Sequence, residues 1–149
     1  MTLVSVVIPT FNEVAHIEET LAAARRDYTQ EEVEIVVVDG GSTDGTLSLV
    51  PTDVTVLQAA PGRGHAMNRG AAEAEGQVLV FCHGDTQLPA GWRSAALEAL
   101  ARPGVSAGSF AIRFLPARGF LHVINHLWYP ADWRLMYGDQ ALFMRREIF

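Results

Sequence analysis

Residues 78–86 read Val-Leu-Val-Phe-Cys-His-Gly-Asp-Thr, five consecutive apolar residues followed by a small polar cluster. A continuous apolar run of this length predicts a strand buried on both faces, as in a parallel sheet. Ligands of an open α/β sheet bind outside the carboxyl ends of its strands, so Asp85 is expected to lie where such a protein does its chemistry. Gly84 leaves room for another group to approach the backbone. A strand that ends in an ordinary Asp-Thr turn explains the same residues equally well, and the rest of the chain has to decide.

Composition narrows the function classes. A length of 149 residues predicts one domain, and the net charge of −6 argues against nucleic-acid binding. Cys82 is the single cysteine, which excludes an internal disulfide and a cysteine-cluster metal site. All eleven basic residues are arginine, which excludes a Schiff-base lysine and a Walker-type phosphate loop. No apolar run reaches the roughly 18 residues that a transmembrane helix needs, so we expect no transmembrane segment and a cytoplasmic protein.

The first two-thirds of the chain alternates strand and helix patterns. Strands are predicted at 3–9, 33–38, 54–57 and 78–82. Between and after them, helices are predicted from the N-cap Asn12 to Arg26, over a short segment ending near Ser48, at 63–74, and from Pro89 to Leu100. This alternation is typical of a parallel sheet with helical crossovers. Small residues such as Gly70 should let the third of these helices lie close to the sheet.

The pattern changes from Gly104 onward. We expect a longer strand at 105–114, a helix or irregular aromatic segment at 120–133, and a short strand at 141–144. Residues 145–149 are typical of the first turn of a helix. The sequence therefore predicts a C-terminally truncated α/β domain.

Three predicted strand ends carry polar residues that would meet at one edge of the sheet. They supply Thr10 and Glu13, then Asp39, then Asp85, while Arg63 lies on a glycine-containing loop. The carboxylates of Asp39 and Asp85, together with Arg63, suit a nucleotide diphosphate. One carboxylate can accept hydrogen bonds from the base or ribose, and the other can hold a divalent cation, Mn²⁺ or Mg²⁺, that neutralises the diphosphate.

Other α/β functions fit less well. A nicotinamide dinucleotide site needs Gly-x-Gly-x-x-Gly after the first strand, where this chain reads Thr-Phe-Asn-Glu at 10–13. A sugar-phosphate nucleotidyltransferase would carry a glycine-rich, basic loop at the same place. A non-catalytic nucleotide-sugar-binding or assembly module stays open as the alternative from another class.

Four motifs now support a family resemblance. The segments at 6–13, 36–46, 62–70 and 83–85 occur in the order and spacing that resemble the family-2 glycosyltransferases, over the whole chain. The resemblance implies a GT-A fold, Rossmann-like, with a mostly parallel sheet and helices on both faces. Residues 83–86 and 138–146 further resemble a bacterial subgroup, often labelled transferase 2, that is associated with radical-SAM/selenium-domain or arsenosugar gene neighbourhoods.

The same resemblance implies a reaction and a division of the domain. Residues 1–88 would form the nucleotide-sugar-binding half, and residues 89–149 would begin the acceptor half. The enzyme would move a sugar from a nucleotide-diphospho-sugar donor to an acceptor hydroxyl, with inversion and with assistance from a divalent metal. The acceptor is unknown, and an exposed sheet edge makes a homodimer a further expectation.

Matching positions carry over the nucleotide site. The residues implied are Pro9, Thr10, Glu13, Asp39, Arg63 and Asp85. Asp39 would bond the base, Arg63 would lie near the base or diphosphate, and Asp85 would be the metal-binding carboxylate of the Asp-x-Asp motif. His83 stands where the first aspartate of that motif usually lies, and imidazole suits Mn²⁺ better than Mg²⁺.

The catalytic base is the point at which the sequence departs most from the family. The resemblance implies an acidic base beyond Phe149, and Asp139 is a weak substitute. By position, Asp139 with the adjacent Gln140 belongs to the acceptor or donor-sugar site. Trp128 and Tyr129 can stack on a sugar or lipid acceptor, and packing in the core explains them equally well. Loss of a general base lowers a rate by about 10²–10⁴-fold, which is what keeps the non-catalytic alternative open.

Overall fold

The computed structural model describes residues 3–26, 28–111, 113 and 141–149 of the chain. These ranges contain a six-stranded sheet and three α-helices. The strands are β1 (Val4–Thr10), β2 (Val33–Asp39), β3 (Thr55–Gln58), β4 (Val78–Phe81), β5 (Ala107–Ser109) and β6 (Leu142–Arg145). The helices are α1 (Ile17–Arg25), α2 (Arg63–Glu73) and α3 (Trp92–Leu100), and short 3₁₀ turns occur at Thr46–Leu49 and Arg146–Ile148.

The order of strands across the sheet is β3-β2-β1-β4-β6-β5. The first four strands pair in parallel, whereas β6 runs antiparallel to both β4 and β5. The chain builds outward from β1 to β3 and then returns to place β4 on the other side of β1. The strand order therefore reverses between β1 and β4, which is the point where open α/β sheets form a ligand crevice.

Helices cover both faces of the sheet. Alternate residues of β1 point to opposite sides, so Val6 and Ile8 pack with α1 and α3, while Val7 packs with α2. All three side chains are fully buried. The unbroken apolar run in each central strand follows from this two-sided burial, and the predicted α/β fold is confirmed.

Helix α2 lies unusually close to the sheet because of its small residues. A Cβ atom added to Gly70 would lie 2.3 Å from Cγ1 of Val7 and 2.9 Å from Cγ2 of Val38. Ala66 and Ala71 on the same helix are also buried. The predicted role of these small residues is confirmed.

Several predicted boundaries are wrong. Helix α1 begins at Ile17 with His16 as its N-cap residue, because Asn12 adopts a left-handed conformation (φ 55°) and bonds to another loop. Helix α3 begins at Trp92, whose amide donates to the carbonyl of Pro89. These two helices are shorter than predicted at their amino-terminal ends.

The second half differs more from expectation. The longer strand predicted at 105–114 is limited to Ala107–Ser109, and the last described residues form a single 3₁₀ turn. The segment predicted at 120–133 lies outside the described residues. The boundary predicted between two halves at residue 88 stays a prediction. Within the described part of the chain, no helix has the length and apolar character to cross a membrane.

Candidate functional site

A cavity of about 450 Å³ lies at the carboxyl ends of β1 and β4, where the strand order reverses. Three segments form most of its wall: the loop after β1, the start of α2 and the loop after β4. The lining residues are Pro9, Thr10, Phe11, Glu13, Gly40, Pro61, Gly62, Arg63, Ala66, His83, Gly84 and Asp85. The structure thus brings together five of the six nucleotide-site residues expected from the sequence.

A larger and more open depression, of about 790 Å³, lies elsewhere. It is formed near the amino-terminal end of β4 by residues that include Gln77, Leu97 and Arg145. The ligand sites of parallel sheets lie at the carboxyl ends of the strands, which is the opposite end of β4. We therefore assign the candidate site to the smaller cavity.

Asp85 and Glu13 are the two carboxylates of the cavity. Asp85 is exposed, and Glu13 is partly buried against Gly84. A Cβ atom added to Gly84 would lie 2.8 Å from Cγ of Glu13, so the close approach expected at this glycine is made by a protein side chain. The carbonyl of Gly84 also accepts a hydrogen bond from the buried hydroxyl of Thr20 (2.8 Å), which ties the β4 loop to α1.

The surroundings of Glu13 disfavour its charged form. Burial is the largest cause that raises its pKa, followed by the nearby charge of Asp85, with Asp44 adding to the effect and His16 opposing it. The cavity therefore concentrates negative potential between Glu13 and Asp85. A bound cation would relieve that repulsion.

Asp39 does not line the cavity. Its residue is 1% exposed, and its carboxylate accepts hydrogen bonds from the amides of Gly41 (3.0 Å) and Ser42 (3.1 Å) and from the Ser42 hydroxyl. These bonds fold the loop that follows β2. Asp39 ends β2, as its position in the sequence predicted, but its carboxylate is buried and bonded within its own loop. Its bond to a base stays a prediction.

The remaining expected residues lie on the wall in different environments. Pro9 and Thr10 end β1 and are buried, and the Thr10 hydroxyl donates to the carbonyl of Ile8. Arg63 is exposed at the first residue of α2, while His83, two residues after the end of β4, is 7% exposed. The wall thus combines the basic side chain of Arg63 and the acidic side chains of Glu13 and Asp85 with apolar residues such as Pro9 and Phe11.

Cys82 takes no part in this chemistry. Burial, followed by the nearby charge of Asp85, raises the pKa of its thiol to about 12. A thiol that stays protonated at neutral pH is a poor nucleophile and a poor metal ligand. Cys82 is fully buried and behaves as a small apolar side chain.

A set of hydrogen bonds joins the loop after β1 to the loop after β2. Three consecutive amides of the first loop donate to three side chains of the second: Asn12 to Oγ of Ser42 (2.9 Å), Glu13 to Oγ1 of Thr46 (2.8 Å) and Val14 to Oδ2 of Asp44 (3.0 Å). In return, Oδ1 of Asn12 accepts from the amide of Thr43 (2.8 Å). We name the three acceptors Ser42, Asp44 and Thr46 the inter-loop clasp.

The donor set of the cavity fits a divalent cation of the Mg²⁺ or Mn²⁺ type. Among the described residues, no cluster of three or more His, Cys, Asp or Glu side chains is arranged to bind a metal ion. Such cations are commonly held by one or two protein carboxylates and by phosphate oxygens of the substrate. The exposed Asp85 beside Glu13 meets that requirement, with His83 as a further candidate on the same loop.

Four expected site residues lie outside the described part of the chain, and one residue of the cavity was not predicted. The expected acceptor-site residues Trp128, Tyr129, Asp139 and Gln140 lie outside the described residues. Phe11 lines the cavity and is 59% exposed, and it was not singled out. The signal in the sequence was an aromatic residue just after a predicted buried strand.

A sequence model of glycosyl transferase family 2 matches residues 5–146, which is nearly the whole chain. This chain belongs to glycosyl transferase family 2. The family resemblance of the four motifs is thereby confirmed, and the six-stranded, mostly parallel sheet is the GT-A architecture expected of it. The narrower likeness to one bacterial subgroup stays a prediction.

The chain is similar to curated proteins and to solved structures. The chain is 27% identical to glycosyltransferase AglE of Haloferax volcanii over 128 residues, which cover 80% of this chain and 42% of AglE. It superposes on the mannosyltransferase PcManGT of Pyrobaculum calidifontis, in complex with GDP-Man and Mn²⁺, with a TM-score of 0.74 and 30% identity. That match covers 99% of this chain and 45% of PcManGT.

A third match is TarS of S. aureus in complex with UDP-GlcNAc. The TM-score is 0.64 at 26% identity, and the match covers 78% of this chain and 36% of that one. This chain thus spans less than half the length of each of these three proteins.

Proposed function

We propose that this family-2 domain binds a nucleotide-diphospho-sugar together with a divalent cation. In the whole protein, the sugar would pass to an acceptor hydroxyl with inversion at the anomeric carbon. The observation that carries the proposal is the cavity at the reversal point of the sheet, where exposed Asp85 and partly buried Glu13 share a wall with Arg63. This wall can face a diphosphate and its cation at the same time.

Each charged group has a separate task in this proposal. Asp85 would hold the cation, with His83 as the second candidate ligand on the same loop. Arg63 would bond the diphosphate or the base through its planar guanidinium group, which suits phosphate geometry. Glu13 would add negative charge beside Asp85 and so favour the cation over an unaccompanied nucleotide.

The apolar part of the wall would hold the nucleoside. Pro9 and Thr10 lie buried at the end of β1, and the Thr10 hydroxyl is bonded to the carbonyl of Ile8, so this surface is stiff. Asp39 would reach the base from the neighbouring loop, as the family resemblance implies. A stiff wall lowers the ordering cost of binding.

A bound cation would neutralise the charge that develops on the leaving diphosphate. The base that deprotonates the acceptor is proposed to lie beyond Phe149 in the whole protein. Asp85 and Glu13 are not proposed for that role, because both are assigned to the cation.

The donor nucleotide is the part of the proposal that relatives leave open. PcManGT is in complex with GDP-Man, and TarS is in complex with UDP-GlcNAc. We therefore test both nucleotides. Isothermal titration of UDP and of GDP, each with and without Mn²⁺, should show that one of them binds and that binding needs the cation.

Asp85→Ala should weaken that Mn²⁺-dependent binding at least tenfold. Even removal of a residue that only hydrogen-bonds to a metal ligand lowers metal affinity by about 10–100-fold. Asp53→Ala is the matched control, because Asp53 is an exposed carboxylate that bonds to Arg25 (2.7 Å) outside the cavity. Binding in the control should equal that of the wild type. Binding of neither nucleotide by the folded wild type, or equal binding by Asp85→Ala, would contradict the proposal.

A further inference from the structure

Thr46 lies at the centre of the inter-loop clasp. It is fully buried, and its hydroxyl accepts from the amide of Glu13 (2.8 Å) while donating to Oδ1 of Asp44. The Thr46 amide donates to the same oxygen (2.9 Å). A single side chain thus connects the loop after β2 to the backbone of a cavity residue.

The connection continues from Glu13 to the loop after β4. The side chain of Glu13 packs against Gly84 so closely that an added Cβ atom would lie 2.8 Å from its Cγ. Gly84 directly precedes Asp85, the proposed cation ligand. The position of Thr46 therefore decides where Glu13 stands relative to Asp85, although Thr46 itself does not line the cavity.

Asp44 holds Thr46 in place. The hydrogen bond from the Thr46 hydroxyl is the largest cause that lowers the pKa of Asp44 below its ordinary value, and the bond from the Thr46 amide adds to it. The carboxylate is therefore charged at neutral pH. Its second oxygen accepts the amide of Val14 (3.0 Å). Hydrogen bonds to a charged acceptor are about twice as strong as those between neutral groups.

The inter-loop clasp also engages the amides with which the loop after β1 could bind an anion. Successive backbone N–H groups that point to one side can form an anion-binding nest. Here the amides of 12, 13 and 14 are each bonded to the side chain of a clasp residue. They are engaged within the protein, so this loop supplies a wall to the cavity and leaves phosphate binding to other groups.

We propose that Thr46, held by Asp44, is a positioning residue for donor binding. It fixes the backbone of Glu13, so that the Glu13 side chain stands against Gly84 beside Asp85. This inference rests on the proposed function of the cavity as a donor site. It adds a residue outside the cavity whose effect on binding passes through Glu13.

The test compares Thr46→Val with Thr46→Ser. Valine keeps the shape of threonine but removes the hydroxyl, whereas serine keeps the hydroxyl. Ser48→Ala is the matched control, because the bond that the Ser48 hydroxyl makes among the described residues, to the carbonyl of Gly45 (2.6 Å), stays within its own loop. Asp44→Asn is a second variant that spares the buried position and removes the charged acceptor of the Val14 amide.

Two measurements are made on each variant. Amide hydrogen exchange should speed up at Glu13 in Thr46→Val by about fivefold or more, the equivalent of one net hydrogen bond, while amides of β1 stay unchanged. Titration of UDP and GDP with Mn²⁺ should show binding about three- to tenfold weaker in Thr46→Val, the equivalent of one net hydrogen bond, with Thr46→Ser and Ser48→Ala equal to the wild type. Asp44→Asn should speed up exchange at Val14 and weaken binding in the same range.

The outcomes separate this inference from the function on which it rests. Failure of the proposed function is seen in the wild type, which would then bind neither nucleotide, and the donor-positioning role would fall with it. Failure of the inference alone is seen in the variants. Unchanged exchange at Glu13, or faster exchange with wild-type nucleotide binding, would overturn the positioning role.

Discussion

Replacement of Gly70 by alanine tests whether α2 is seated on the sheet as closely as the structure shows. The new Cβ atom would lie 2.3 Å from Cγ1 of Val7 and 2.9 Å from Cγ2 of Val38. Favourable carbon–carbon contacts lie at about 3.5–4.0 Å, so both contacts are strongly repulsive. Valine has few alternative rotamers, and both valines are fully buried in central strands, so neither can move away easily.

Two opposing effects decide the magnitude. Alanine is favoured over glycine inside a helix by about 0.8–1.0 kcal/mol. Overpacking of a close-packed core costs about 1–3 kcal/mol, and an overlap of more than 1 Å with a stiff side chain belongs at the upper end. We therefore expect Gly70→Ala to lower the free energy of unfolding by about 2 kcal/mol, against the helix preference.

Urea denaturation measures this directly. With a slope of about 2 kcal/mol per molar urea, the midpoint should fall by about 1 M. Gly64→Ala is the matched control, because Gly64 lies on the same helix and an added Cβ atom there meets nothing within 4 Å. That variant should be as stable as the wild type or more stable, by up to about 1 kcal/mol. A Gly70→Ala protein as stable as Gly64→Ala would refute the close seating of α2.

Two further predictions concern the carboxylates. Because burial and Asp85 raise the pKa of Glu13, the folded chain releases its proton less readily than the unfolded chain, and stability is lost as the pH rises through the raised pKa. Glu13→Gln should therefore raise the free energy of unfolding at pH 7, measured by urea denaturation without divalent cations. The gain should vanish below about pH 4, where Glu13 is protonated in both the folded and the unfolded chain. An equal gain at both pH values would contradict this electrostatic cause. Asp39→Asn removes one of the carboxylate oxygens that accept hydrogen bonds from Gly41 and Ser42, and it should lower the free energy of unfolding by about 1–3 kcal/mol in the same assay. A decrease below about 0.5 kcal/mol, which is typical of an ordinary surface substitution, would show that these bonds do not hold the loop.

The sequence predicted the sheet well because its central strands are buried on both faces. Residues 35–38 and 78–82 are unbroken apolar runs, and such runs leave few alternatives once helices alternate with them. The antiparallel direction of β6 could not be predicted, since a short strand carries no signal for its partner. Pairing of β6 with β4 is decided by contacts between residues more than 60 positions apart.

The start of α1 shows why local signals failed at the site. Asn12 is a good N-cap residue by type, which predicted a helix from that point. In the structure its side chain accepts from the amide of Thr43, 31 residues away, and its own amide donates to Ser42. A long-range contact has replaced the local one, and helix α1 begins only at Ile17. Sequence patterns within one loop do not report such competition.

Asp39 shows the converse limit. Its position at a strand end correctly predicted a place near the cavity, and Gly40 beside it lines the wall. Its carboxylate, however, is already bonded to Gly41 and Ser42, so residue type and position did not reveal its orientation. The family resemblance implies that Asp39 bonds the nucleotide base. In this structure its carboxylate shapes the loop after β2.

The motif at 36–46 can therefore be understood as two structural devices in one segment. Its first part uses Asp39 to close the loop after β2, and its second part uses Asp44 and Thr46 to attach the loop after β1. Both loops follow neighbouring parallel strands, which the ladder from Val4–Val33 to Thr10–Asp39 aligns at the same height. Backbone pairing brings the two loops side by side but cannot fix their shapes, because the ladder ends where the loops begin. Side-chain acceptors are needed beyond that point, and short residues such as serine, threonine and aspartate reach a neighbouring amide at the least entropic cost.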